Sequence, residues 1–221
     1  MISIAIDGPA GAGKSTIAKA VAKQMSYIYV DTGALYRSIA LNAISNNIDT
    51  NDVSQIKSLL DSTNVELKFI NGVQRVFLNG EDVSDNIRTT EVSMMASKVS
   101  AVPAVREFLL ELQRDIARKN NVLMDGRDIG TVVLPNAQVK IFLTASPECR
   151  AKRRYDDYVA MGIDEDYEKI LADIVKRDYD DSHRAIAPLK PAEGSVTVDT
   201  SNDTLEQSVN RIVEIINNTI N

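Results

Sequence analysis

The sequence predicts an α/β fold, a five-stranded parallel sheet with helices on both faces. Three observations predict it. The apolar run Ile2-Ser3-Ile4-Ala5-Ile6 leads into Gly8-Pro9-Ala10-Gly11-Ala12-Gly13-Lys14-Ser15, which fits G-x-x-x-x-G-K-[ST]; Ile17, Ala18, Val21 and Ala22 then recur at helical spacing. Four further short apolar runs follow, separated by amphipathic helical patterns. One stretch of alternating residues interrupts that rhythm.

The first unit reads as strand, glycine loop, helix. Such a loop points backbone N–H groups into one concavity, and the helix N-terminus adds a partial positive charge, so a polyphosphate exchanges its water shell for fixed donors. Glycines suit the loop because side chains would block the close approach. In this geometry Lys14 neutralises the outer phosphates and the Ser15 hydroxyl holds Mg²⁺.

The other four strands are expected at residues 28–30, 122–124, 139–143 and 196–198. Pro103, favourable at a first helical position, opens a helix with Val105, Phe108, Leu109, Leu112 and Ile116 on one face. The last helix carries Leu205, Val209, Ile212, Val213 and Ile216 and starts at a capping box, Thr204 to Gln207. The interruption is Val65-Glu66-Leu67-Lys68-Phe69, then Asn71-Gly72, then residues 73–78 and a second turn at Asn79-Gly80. It predicts a small antiparallel meander inserted between parallel-sheet units. From pattern alone, a surface decoration and a functional insert are both open.

Length and composition set bounds. A chain of 221 residues with 25% charged residues buries one sizeable core and needs no second independent domain. It has no run of 18 apolar residues to span a membrane, and no basic lead with an apolar segment and cleavage site opens it, so a cytoplasmic location is expected. The single cysteine, Cys149, excludes an internal disulfide framework and reads as a small buried hydrophobe; the single His183 has no histidine partner for a metal. A net charge of −6 argues against nucleic acid or a membrane surface as the main partner. Yet Arg150, Lys152, Arg153 and Arg154 crowd into five residues, which points to a small anionic ligand.

Ligands of open parallel sheets sit at the carboxyl ends of the strands. There the second strand runs into Asp31-Thr32-Gly33-Ala34-Leu35-Tyr36-Arg37, and the third into Asp125-Gly126-Arg127-Asp128-Ile129-Gly130. Arg37 and Arg127 are candidates to grip a second phosphate with bidentate forks, and Asp125 is placed to orient Mg²⁺ through water. If the helix carrying Tyr167, Ile170, Leu171 and Ile174 continues, Arg177, Asp181 and Arg184 share one face. A solvated salt-bridge ladder and a row of ligand groups both fit that spacing. The arginine cluster after Ser146-Pro147-Glu148 likewise reads either as a solvated face or as a mobile flap excluding water from phosphoryl transfer.

The combination of the glycine loop, Asp-Gly-Arg-Asp-Ile-Gly-Thr at 125–131 and Arg-Asp-x-x-Asp-Ser-x-Arg-x-x-Ala-Pro-Leu at 177–189 closely resembles the bacterial cytidylate kinase family, which belongs to the nucleoside monophosphate kinases. The resemblance runs essentially from end to end. It implies a P-loop kinase core (residues 1–31, 102–148 and 185–221), a nucleoside monophosphate-binding insert (32–101) that includes the meander, and a short lid with its following helix (149–184). The implied reaction moves the γ-phosphoryl group of ATP to CMP or dCMP, with Mg²⁺.

Residue by residue, the resemblance puts ATP on Gly8, Pro9, Ala10, Gly11, Ala12, Gly13, Lys14, Ser15 and Thr16. It puts the CMP phosphate on Arg37, Arg127 and Arg184, with Thr32 alongside, where many relatives have serine. Tyr36, Arg177 and Asp181 surround the pentose; Ser97, Arg106 and Asp128 read cytosine. Arg153 and Arg154 match lid arginines, and Lys14, Arg127, Arg153 and Arg154 form the catalytic set. A carboxylate such as Asp128 suits the 4-amino group of cytosine and repels the 4-oxygen of uracil. The expected assembly is a monomer. Two alternatives stand beside this reading: another nucleoside monophosphate or small-molecule kinase on the same core, and a nucleotide-driven switch. The absence of an Asn-Lys-x-Asp guanine-reading motif weighs against the switch.

Overall fold

The computed structural model describes residues 1–220. In chain order its first elements are β1 (Ser3–Asp7), α1 (Lys14–Met25), β2 (Ile28–Asp31), α2 (Thr32–Ser45), α3 (Val53–Asp61), β3 (Val65–Ile70), β4 (Val73–Leu78) and β5 (Glu81–Asp82). There follow α4 (Thr90–Val99), α5 (Pro103–Lys119), β6 (Val122–Gly126), β7 (Val139–Thr144), α6 (Pro147–Ala160), α7 (Tyr167–His183), β8 (Val196–Asp199) and α8 (Leu205–Ile220). A 3₁₀ turn at Asn86–Arg88 and a π-helical turn at Ile129–Val133 complete the described residues.

The five-stranded sheet has the order β2-β6-β1-β7-β8, and the registers of β1 with β6, β1 with β7 and β7 with β8 are parallel. This is the expected α/β architecture. Each strand reaches further toward its carboxyl end than its apolar run, because polar residues complete the ladder: Asp7 pairs with Gly126, and Thr144 with Asp199. Carboxylates therefore cluster at the edge where the loops begin.

The chain divides into two compact units, Met1–Tyr29 with Asn121–Asn221, and Val30–Asn120. The first is built on the sheet. Ile4, Ile6, Leu123, Ile141, Leu143 and Val198 pack with Ile17, Ala18 and Val21 of α1 and with Ile212 and Ile216 of α8. Every fully buried isoleucine or leucine there is worth about 1.5–3 kcal/mol. At the start of α8 the capping box forms as expected: Thr204 N donates to Gln207 Oε1 at 2.8 Å and Gln207 N to Thr204 Oγ1 at 3.2 Å.

The second unit centres on Leu35, Ile39, Ile56, Ile87, Val99, Val105 and Leu109. Its antiparallel sheet has the order β3-β4-β5, with Val65 opposite Leu78 and Ile70 opposite Val73. Asn71 and Gly72 close the hairpin at φ 53° and 76°, the two left-handed residues that a tight turn needs. Val65, Val76 and Leu78 enter the unit's core, so the meander is part of its framework rather than a decoration. Because Val105 and Leu109 do the same, α5 belongs here too, and the unit extends beyond residues 32–101.

One helix stops short of its expected length. α7 ends at His183, and Arg184 is extended at φ −62°, ψ 142°. The chain folds back there, with Leu189 N donating to the Asp181 carbonyl at 2.8 Å. Arg184 thus leaves the helical row formed by Arg177 and Asp181.

Candidate active site

The phosphate loop leaves β1 at Gly8. A Cβ at this position would lie 1.9 Å from the Leu143 carbonyl oxygen, so only glycine lets the chain turn past β7. Pro9, Ala10, Gly11 and Ala12 carry the loop to Gly13, which is left-handed (φ 85°) and caps α1; Lys14, Ser15 and Thr16 form the first turn. Lys14 is buried and donates from Nζ to the Pro9 carbonyl at 2.7 Å. Burial, and then the neighbouring Arg127 guanidinium, lowers its pKa from 10.5 to about 7; Asp125, Asp7 and Asp181 pull the other way. Phosphate oxygens beside Nζ would restore the ammonium.

At the end of β6, Asp125 is buried and accepts two hydrogen bonds, from Ser15 Oγ at 2.9 Å and Tyr29 Oη at 3.0 Å. Among the described residues no cluster of three His, Cys, Asp or Glu side chains could hold a metal. One hydroxyl and one carboxylate do fit Mg²⁺, a cation that keeps several waters and takes its remaining ligands from phosphates.

Beyond Asp125 the chain supplies the second group. Arg127 Nε donates to Asp181 Oδ2 at 3.0 Å, bridging the end of β6 to α7. Asp128 is buried, and its Oδ1 lies 4.0 Å from Arg184 Nη2. Arg184 Nε is held by the Ala187 carbonyl at 2.6 Å, and Arg177 stands half-buried one turn before Asp181 on α7. The first unit thus pairs two successive residues at the end of β6 with the end of α7 and the residue after it, Arg127 with Asp181 and Asp128 with Arg184. Asp181, placed by spacing in a ladder on its own helix, is committed to an arginine 54 residues away.

The second unit holds its own set. Asp31 caps α2 by accepting from Ala34 N at 3.0 Å, and its other oxygen receives Arg37 Nη2 at 2.8 Å. Arg37 Nε is buried with no hydrogen-bond partner among the described residues. Thr32 is buried at the first helical position. Tyr36 offers its ring 5.8 Å from the Arg106 guanidinium, which is buried and donates to the Ser100 carbonyl at 3.1 Å. Ser97 lies half-buried on α4.

The basic run on α6 separates into different roles. Arg150 is only 2% exposed: it donates to the Ala145 and Ala10 carbonyls at 2.8 and 3.0 Å and clamps Asp178 of α7 with both terminal nitrogens. It is a strut beneath the phosphate loop, so at Arg150 neither the solvated face nor the mobile flap that the run suggested describes the residue. Arg153 Nη2 donates to the Thr200 carbonyl at 2.7 Å, and Arg154 Nε to Tyr158 Oη at 3.2 Å. Cys149 is half-buried in the first turn of α6, its Sγ 3.4 Å from the Ser201 carbonyl, so it is less enclosed than expected.

Asp7 is the site residue that the motif reading passed over. Buried at the end of β1, it accepts from Ile129 N and Gly130 N, each at 2.7 Å. Burial raises its pKa from 3.8 to about 6 against the pull of those two amides. The one available signal is its isolation: Asp7 is the sole charged side chain among residues 1–13.

A phosphate loop after the central strand of a five-stranded parallel sheet places the chain among the phosphate-loop nucleotide-binding proteins. The family model for cytidylate kinase matches residues 4–218. A cytidylate kinase of Lactobacillus johnsonii is 51% identical over 216 residues, 98% of this chain and 94% of that protein. One from Geobacillus sp. is 50% identical over 219 residues, 99% of this chain and 98% of that protein. The chain belongs to the cytidylate kinase family. Among solved structures, an uncharacterized protein from Eubacterium ventriosum shares the fold at a TM-score of 0.54 and 14% identity, over 98% of this chain and 99% of that one. No helix of the described residues is long and apolar enough to cross a membrane.

Proposed function

We propose that this chain transfers the γ-phosphoryl group of ATP to CMP and dCMP, yielding CDP or dCDP and ADP. The observation that carries the reading is the segment following β6. Within four residues Asp125 meets the phosphate-loop serine, Arg127 is held by Asp181, and Asp128 is buried beside Arg184. Family membership supports the acceptor, since the relatives are named for it.

In this reading the loop amides of residues 8–16 and Lys14 hold the ATP phosphates. Ser15, with Asp125 through water, would hold Mg²⁺, which would supply positive charge against the phosphates during transfer. Arg37, Arg127 and Arg184 take the acceptor phosphate, with Thr32 beside it. Tyr36, Arg177 and Asp181 take the pentose. Ser97, Arg106 and Asp128 read the base, and Arg153 and Arg154 neutralise the phosphoryl group as it moves. The acceptor phosphate is already a nucleophile, so in-line transfer needs no general base and no covalent intermediate; positioning and charge neutralisation carry the rate. Functionally, residues 32–101 serve as the acceptor insert and 149–184 as the lid with its following helix, on a core of 1–31, 102–148 and 185–221. The chain acts as a monomer in the cytoplasm.

Initial rates of ADP release with CMP, dCMP, UMP, AMP and GMP test the proposal. CMP and dCMP are expected to be the best acceptors. Preferential turnover of a purine monophosphate, or none with CMP, overturns it.

A further inference from the structure

The turn that presents Asp128 is held by a residue outside the acceptor set. We infer that Asp7 is a positioning residue for base selection: its carboxylate clamps two successive amides of the π-helical turn and thereby fixes where Asp128 points. This inference rests on the reading of Asp128 as the group that recognises cytosine.

The geometry is bidentate. Asp7 Oδ1 accepts from Ile129 N and Oδ2 from Gly130 N, both at 2.7 Å and both buried, across more than 120 residues of chain. Asp128 stands immediately before these amides, at φ −149°, ψ 26°. Its own carbonyl accepts from Val132 N at 2.9 Å and Val133 N at 3.2 Å, and Leu134 N closes the turn on the Ile129 carbonyl at 2.7 Å. The carbonyl of Asp128 is therefore held by the turn, and the two amides that follow it by Asp7. π-Helical turns are uncommon and concentrate at functional sites.

Packing leaves this turn little freedom. A Cβ on Gly130 would lie 3.1 Å from Ala192 Cβ and 3.4 Å from Asp7 Oδ2, so the backbone seats directly on its neighbours. Asp7 is also the last residue before Gly8, whose passage against Leu143 fixes the start of the phosphate loop. One side chain thus ties the base-reading turn to the strand that launches the donor loop.

The test compares kcat/KM for CMP with that for UMP. In Asp7→Asn one amide N–H faces an amide NH₂ instead of an oxygen, so the clamp opens on one side. The CMP to UMP ratio is expected to fall about tenfold or more, the scale of one lost hydrogen bond to a charged group. A merely structural role would lower both values together and leave the ratio unchanged; that result overturns the inference. If Asp7→Asn does not fold, Gly130→Ala probes the same contact from the other side, and Ala192→Gly in that background should return the ratio toward the parent's. An unchanged ratio in Gly130→Ala overturns the inference equally. Asp128→Asn measured in parallel separates the two levels. A fall there without one in Asp7→Asn removes the role of Asp7 and keeps Asp128 as the reader, whereas no fall in either removes both.

Discussion

The Ser15 hydroxyl donates to the Asp125 carboxylate at 2.9 Å, joining the first turn after the phosphate loop to the end of the neighbouring strand. The same carboxylate takes the Tyr29 hydroxyl on its other oxygen, so its orientation is set before any nucleotide arrives. Asp125→Asn keeps the shape and removes the charge. The magnesium concentration giving half-maximal rate should rise about 10–100-fold, the usual cost of losing an outer-sphere partner. Initial rates against total magnesium at fixed ATP check this; an unchanged requirement would detach Asp125 from the proposed cation.

Arg150 separates stability from chemistry on α6. Its removal strands Asp178 and two carbonyls, those of Ala10 and Ala145, so Arg150→Ala should cost on the order of 2–4 kcal/mol in urea unfolding. Arg154→Ala, which loses a half-exposed contact with Tyr158, should cost less than about 1 kcal/mol while reducing kcat. Equal stability losses in the two variants would contradict the division.

Asp7 should make stability depend on pH in an unusual direction. Its folded pKa of about 6 lies above the ordinary 3.8, so between these values the folded chain keeps a proton that the unfolded chain releases. The stability this group contributes is complete below 3.8, falls as pH rises through the window and is flat above about 6. Measured against Asp7→Asn, wild type should lose on the order of 1–3 kcal/mol across that window. Urea curves for both proteins at several pH values read the difference; a constant gap contradicts the assignment.

What could be read from the chain beforehand was what is local. The five strands and the loop announce themselves by apolar runs and glycines, and the meander by two Asn-Gly turns, because each depends on residues within a few positions. The remainder depended on partners far apart. Four basic residues within five positions do not reveal that Arg150 turns inward to Ala10, 140 positions earlier, while its neighbours do not. His183 and Pro188 near Arg184 are only weak marks of a helix end, since the fold-back itself is fixed by Leu189 bonding to Asp181. Asp7 looks like a polar strand end until the turn at Ile129 closes over it.

The central claim is direct passage of a phosphoryl group from ATP to CMP, and isotope transfer tests it most directly. The protein is mixed with γ-³²P-ATP and CMP, quenched in acid within a turnover, and separated into nucleotide and protein fractions. The account predicts label in CDP and none on the polypeptide. Labelled protein, or labelled inorganic phosphate without labelled CDP, would contradict it.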